Sequence, residues 1–187
     1  MSIFKDLLEE NPVIAAVKDD AGLEKCCQME DIRVVFILYG NICNLSEIVE
    51  KIRKAGKTAV VHMDLIGGIS GREIAVQFVK RSGADGIIST KPALINEARK
   101  LDMFTVLRVF LLDSMAYDNI EKEIRLCRPD AVEILPGLMP KVIRKISEQH
   151  RTPLIAGGLI SDREDVMGAL DAGAVSVSST NETVWNM

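Results

Sequence analysis

The sequence predicts one compact (β/α)8 barrel of the TIM type with a short N-terminal helix, and three observations lead there. Short β-branched apolar runs alternate with longer amphipathic stretches along the whole chain, the pattern of repeated βα units on a parallel sheet. Eight such runs can be counted, each followed by a helical stretch. After the first run stands Lys18-Asp19-Asp20-Ala21-Gly22, where an open dinucleotide-binding sheet would carry a G-x-G-x-x-G turn. Eight units in 187 residues leave roughly 23 residues each, far tighter than the usual barrel of ~250, so helices must be short and insertions nearly absent. Residues 1–187 are read as a single domain.

Taken in order, residues 3–10 are expected to form the N-terminal helix, with Ser2 as its cap and Phe4, Leu7 and Leu8 facing inward across the N-terminal end of the barrel. Strands are expected at 13–17, 33–38, 58–62, 86–88, 104–109, 131–134, 154–156 and 174–177. Helices should start near Leu23, Ser46, Gly71, Pro92, Ser114, Pro140, Asp162 and Asn181, several opened by a capping side chain or by proline in the first turn. Three helix-to-strand joints, around Gly56, Gly83 and Gly173, repeat one theme: glycine sits where the residue after a helix takes the left-handed conformation.

Composition narrows the function classes. The N-terminus has neither a basic segment nor an apolar one, and no apolar run approaches the ~20 residues of a membrane span, so a cytoplasmic protein without membrane partners is expected. Cys26, Cys27, Cys43 and Cys127 show no C-x-x-C spacing, and His62 and His150 are the two histidines, which argues against structural zinc or a disulfide scaffold. A net charge of -4 repels polyanions over most of the surface, so any nucleic-acid contact must come from a local basic patch. The basic groups are Lys51, Arg53, Lys54 and Lys57; Lys80 and Arg81; and Lys141, Arg144, Lys145, His150 and Arg151. Solvated helix faces explain most of them, and no aromatic residue interleaves with the last group as an RNA stacking platform would.

In a barrel, function is read from the C-terminal ends of the strands. Polar residues concentrate there: Lys18 and Asp19, Tyr39, His62 and Asp64, Ser89 to Lys91, Arg108 and Asp113, and Glu133. Gly157 and Gly158 follow the seventh strand and Ser178, Ser179 and Thr180 the eighth, on the two loops that hold phosphates in many barrels. The alternative is that the glycines make a tight turn and the serines cap the last helix. Lys18, Lys91 and Arg108 set against Asp19, Asp64 and Glu133 suit a ligand carrying both charge and hydroxyls, although each alone could be a salt bridge of the mouth. His62, inside an apolar strand, reads as a hydrogen-bonded packing residue.

The joint order of His62-Met63-Asp64-Leu65-Ile66, Gly86-Ile87-Ile88-Ser89-Thr90-Lys91, Arg108-Val109-Phe110-Leu111-Leu112-Asp113, Glu133-Ile134-Leu135-Pro136-Gly137 and Pro153 to Ile160, followed by Ser178-Ser179-Thr180 and Trp185, resembles the glycerol-3-phosphate responsive antiterminators, regulators of glycerol uptake operons. The resemblance runs from Val13 to Trp185. It implies a cytoplasmic barrel that senses glycerol 3-phosphate and, when loaded, binds the leader mRNA of a glycerol operon so that transcription passes a terminator. It implies no catalysis and no cofactor beyond that regulatory ligand. Carried onto this chain, the ligand-binding candidates are Asp64, Lys91, Arg108, Glu133, Gly137, Gly157, Gly158, Ser178 and Ser179. No RNA-contacting residue follows from it, a homo-oligomer is compatible with it, and whether a divalent ion joins Asp64 and Glu133 stays open. The rival reading is a small TIM-barrel enzyme acting on a phosphorylated polyol or sugar, with Asp64 or Glu133 as general base and a lysine as electrophile or Schiff-base nucleophile.

Overall fold

The computed structural model describes residues 3–187. Eight parallel strands close into a barrel in sequential order: β1 (Val13–Val17), β2 (Val34–Ile37), β3 (Thr58–His62), β4 (Gly86–Ser89), β5 (Phe104–Phe110), β6 (Ala131–Leu135), β7 (Leu154–Gly157) and β8 (Ser176–Ser179), with β8 returning to pair with β1. Between and after them run α2 (Asp20–Gln28), α3 (Leu45–Lys54), α4 (Glu73–Arg81), α5 (Pro92–Lys100), α6 (Ser114–Cys127), α7 (Pro140–Gln149), α8 (Arg163–Asp171) and α9 (Glu182–Trp185), while α1 (Ile3–Glu10) precedes the barrel. Strands covered on both faces bury every residue, as β1, β2 and β7 do, and therefore appear in the sequence as continuous apolar runs.

Alternation divides each strand between two cores. Val13, Ala15 and Val17 of β1 face the helices, in one cluster with Leu23, Ile52, Ile95 and Ile143. Ile14 and Ala16 face the interior with Val34, Phe36, Val60, Ile88, Val106, Ala131 and Ile155. The registers Ala16↔Phe36, His62↔Ile88, Arg108↔Glu133 and Gly157↔Ser178, combined with a stagger of about one residue per strand in a barrel of this type, sort the inward positions into layers. Ala16, His62, Arg108 and Gly157 form an upper layer; Phe36, Ile88, Glu133 and Ser178 lie one step beneath.

Helix α1 closes the opposite end. Phe4 and Leu8 are fully buried against the interior core, and the Phe4 ring stacks on Phe104 with centroids 4.8 Å apart. This agrees with the position expected from sequence; Ser2, expected as the cap, lies outside the described residues.

Three elements are offset from the sequence reading by at least two residues. The last strand runs two residues later than expected, because Ala174 still belongs to the turn that ends α8: Gly173, at φ +103°, donates to the Leu170 carbonyl and Ala174 to that of Ala169. Ser178 and Ser179 are consequently inside β8, not in the loop after it. Helix α2 begins at Asp20, earlier than Leu23, because Asp19 caps it by accepting from the Gly22 N–H at 2.8 Å. Helix α4 begins at Glu73, two residues after Gly71.

Candidate functional site

At the C-terminal end of the barrel lies a cavity of about 490 Å³, bounded below by Ala16, Arg108, Glu133 and Ser178, at the sides by Leu38 and Leu135, and above by Gly158 to Ser161 and Ser179 to Asn181. Its floor is one charged unit. Glu133, wholly buried on β6, accepts from Arg108 Nε at 2.5 Å on one oxygen and from the Ser178 hydroxyl at 2.5 Å on the other. A buried carboxylate is tolerated only when paired and hydrogen-bonded in this way. Arg108 is itself largely sheltered, with a side chain 10% exposed, and its guanidinium carries further N–H donors that can meet an anion.

Gly157 is required by that unit: a Cβ there would sit 2.6 Å from Glu133 Oε1 and 2.7 Å from Ser178 Oγ. The next residues turn left-handed, Gly158 at φ 73° and Leu159 at φ 65°. For glycine this conformation is free, whereas a leucine held there is strained by about 1–2 kcal/mol. Gly137, just past the end of β6, braces the same loop, its N–H donating to the Gly158 carbonyl at 3.1 Å. It is packed against Ala156 and Ile160 and is not among the cavity walls.

The two loops over the cavity are tied together. Ser179 donates to the Ile160 carbonyl at 2.8 Å, Asn181 Nδ2 to the Ser161 carbonyl at 3.0 Å, and the Asn181 N–H to Ser179 Oγ at 3.0 Å. Trp185 completes the assembly by donating from Nε1 to the Ser179 carbonyl at 2.7 Å. The serine hydroxyls expected as rim donors are thus oriented toward protein acceptors. The helix starts nearby are also served from within: Asp162 caps α8 and Asn181 caps α9, while Ser161 gives both N–H and hydroxyl to Asp165, whose carboxyl is held below its ordinary range by those bonds. An anion in the cavity therefore relies on Arg108 and the loop backbone, and Asp162, Glu164 and Asp165 oppose binding at the start of α8 itself.

Asp64 and Lys91, placed with the others by sequence, form a neighbouring but separate pair. Burial pushes the Asp64 carboxyl up, yet the Thr90 N–H and Ser89 hydroxyl, each 3.0 Å away, together with the positive charges nearby, hold it below its usual value. Lys91 Nζ lies 3.5 Å from Asp64 and rests over Gly71. Lys18 is exposed, Asp19 is occupied as a helix cap, and Asp113 caps α6 through Ala116. Sequence reasoning passed over Ala16, Leu38 and Ile160, which line the cavity; the strand register was the signal that places Ala16 beside Arg108.

His62 is buried, with Nδ1 accepting from the Asp64 N–H at 3.2 Å. Burial, with the Arg108 charge, lowers its pKa to about 4, so at neutral pH it is uncharged and carries its proton on Nε2. Of the basic groups, Arg53 and Lys54 pair with Asp85 and Glu50. Lys57, grouped in the sequence with residues read for the most part as solvated helix faces, is buried and donates to the carbonyls of Met29 and Ile32. Lys145 lies 4.4 Å over the Tyr117 ring. Among the described residues there is no group of three or more His, Cys, Asp or Glu side chains placed to hold a metal ion, and no helix long and apolar enough to cross a membrane.

A family model described as glycerol-3-phosphate responsive antiterminator matches residues 13–185. A protein of Escherichia coli strain K12, YgcP, described as uncharacterized, is 48% identical over 182 residues, covering 97% of this chain and 95% of that one. The crystal structure of a glycerol uptake operon antiterminator regulatory protein from Listeria monocytogenes superposes with a TM-score of 0.89 at 30% identity, covering 93% of this chain and 94% of that one. A glycerol uptake operon antiterminator-related protein from Thermotoga maritima gives 0.82 at 35% identity, covering 95% and 99%. The chain belongs to the glycerol-3-phosphate responsive antiterminator family, a family of regulators.

Proposed function

We propose that this protein senses glycerol 3-phosphate in the mouth of its barrel and, when loaded, binds the leader mRNA of a glycerol uptake operon to carry transcription past a terminator. The observation that supports it most is the cavity floored by the Arg108–Glu133–Ser178 unit. It offers a sheltered guanidinium for a phosphate and a carboxylate for hydroxyl donors, under a glycine-bearing loop that lets a ligand approach the backbone. Glycerol 3-phosphate carries both groups on three carbons, a size this cavity accepts. Asp64 and Lys91 stand at the adjacent edge, where they serve the ligand when the loop after β3 moves.

Regulation follows if the ligand prefers the RNA-competent state of the loops, since a ligand shifts an equilibrium only by its differential affinity. The test has two parts. Thermal melting with glycerol 3-phosphate at a hundredfold its Kd should add roughly 2.7 kcal/mol of stability, and no shift at millimolar ligand would remove the sensor. Retention of leader RNA should rise with ligand and fall steeply with salt; retention indifferent to ligand would leave a sensor without this output.

A further inference from the structure

We infer that His62 binds the ligand directly: its Nε2–H, beside Arg108 in the upper layer of the barrel, donates to a hydroxyl oxygen of the molecule seated in the mouth. The identity of that molecule rests on the sensor reading above.

The argument begins with an unmatched donor. His62 is 3% exposed, and its Nε2 finds no hydrogen-bond partner among the described residues. The tautomer is set by the backbone, because Nδ1 accepts from the Asp64 N–H and cannot also hold a proton. Nε2 is therefore an N–H without an acceptor, a condition costly enough that buried polar groups in native proteins rarely show it without a functional reason.

Position says where the acceptor comes from. His62 shares the inward parity of Val60, and the registers place it in one layer with Ala16, Arg108 and Gly157. Its neighbours in that layer are Ala16 and Arg108, and Gly157 is across from it. Ala16 presents only a methyl group there, whereas the space at Gly157 is taken up by the Glu133 and Ser178 side chains, so the room in this layer lies on the Ala16 side. Ala16 and Arg108 both line the cavity; His62 stands behind that wall, and its Nε2 meets the ligand when the Arg108 side chain gives way.

Chemistry decides which part of the ligand it is. The loops after β7 and β8 are across the mouth from His62, so a phosphate anchored there points the carbon chain toward β3. A phosphate oxygen would favour protonated imidazole, whereas burial and the Arg108 charge keep this ring neutral, and a neutral N–H suits a neutral acceptor. His62 would accordingly discriminate a polyol phosphate from inorganic phosphate, a distinction that Arg108 and the glycine loop alone do not make.

With His62 and His150 as the two histidines, nitrogen NMR of the labelled protein resolves both rings. Addition of glycerol 3-phosphate should shift the Nε2 signal of His62 and leave that of His150 in place. By titration calorimetry, His62→Phe should bind glycerol 3-phosphate about tenfold more weakly while binding inorganic phosphate as the wild type does, and His62→Gln, which keeps an N–H near the same point, should recover most of the loss. Wild type should lose affinity for a glycerol 3-phosphate analogue missing one hydroxyl, and His62→Phe should be indifferent to the same deletion. A ligand-saturated wild type with an unmoved His62 signal, or equal affinities in wild type and His62→Phe, would overturn this role and leave the sensor standing. No response of the wild type to glycerol 3-phosphate would remove both.

Discussion

Arg108 and Glu133 are register partners on β5 and β6, and they meet as a buried ion pair, Nε 2.5 Å from Oε2, whose other carboxylate oxygen accepts from Ser178. With Ser178 the pair links three strands at the height where the cavity begins, and each carboxylate oxygen, having accepted one hydrogen bond, can accept a second. Removing one partner leaves an uncompensated charge, so Arg108→Leu should cost about 3–5 kcal/mol of stability in urea unfolding. Replacing both, Arg108→Leu with Glu133→Leu, should recover much of that loss while abolishing any ligand-induced rise in Tm.

Gly157→Ala places a methyl group against Glu133 Oε1 and Ser178 Oγ. Overpacking of this kind costs about 1–3 kcal/mol, and here it also tilts the carboxylate out of line with Arg108. Both the melting temperature and the response to glycerol 3-phosphate should fall. A variant that melts lower yet keeps the full ligand shift would show that the carboxylate geometry is immaterial to binding.

His62 gives the protein an acid-sensitive element. Its pKa is about 4 in the folded chain against 6.5 as the ordinary value, so between those limits the unfolded chain binds more protons. Stability is then fully present above pH 6.5 and is lost progressively as pH falls toward 4. Arg108 beside the ring opposes its protonation and Asp64 favours it. His62→Phe should flatten this part of the pH–stability curve as followed by urea midpoints; an unchanged slope would assign the acid sensitivity elsewhere.

Trp185 is the one tryptophan, and it holds the Ser179 carbonyl beneath the loop after β8. Trp185→Phe should cost about 1–3 kcal/mol by leaving that carbonyl unpaired. In the wild type its emission should change when glycerol 3-phosphate orders the loop, which stopped-flow fluorescence would time directly.

The barrel was legible because its strands are buried on both faces and so stand out as apolar runs between amphipathic ones. The one strand misplaced, β8, failed for the same reason: Ala174 and Val175 are as apolar as a strand, and the sequence pattern does not separate them from it. The site was half legible. Glu133 and Arg108 fall at strand ends, as expected, and parity from Ala131 and Val106 already turns them inward, whereas Gly157 and Ser178, expected in the loops, belong to β7 and β8 themselves. Asp64 and Lys91 lie beyond the last residues of their strands, where alternation no longer dictates direction, and the backbone turn there carries them to a pair of their own. Nor could sequence show that the hydroxyls of Ser178 and Ser179 face protein acceptors, since that depends on contacts across 45 and 19 residues.

Beneath the Arg108–Glu133–Ser178 floor the interior is packed down to the stack of Phe4 on Phe104, so among the described residues the cavity opens only at the mouth. Whatever arrives must leave by the path it came, past the loops after β7 and β8. Those loops consequently act on arrival and departure alike: loosening the Asn181 to Ser161 tie should quicken both rates while leaving the equilibrium nearly where it was. Response time and threshold concentration are then separately adjustable properties, the first set by the rim and the second by the floor.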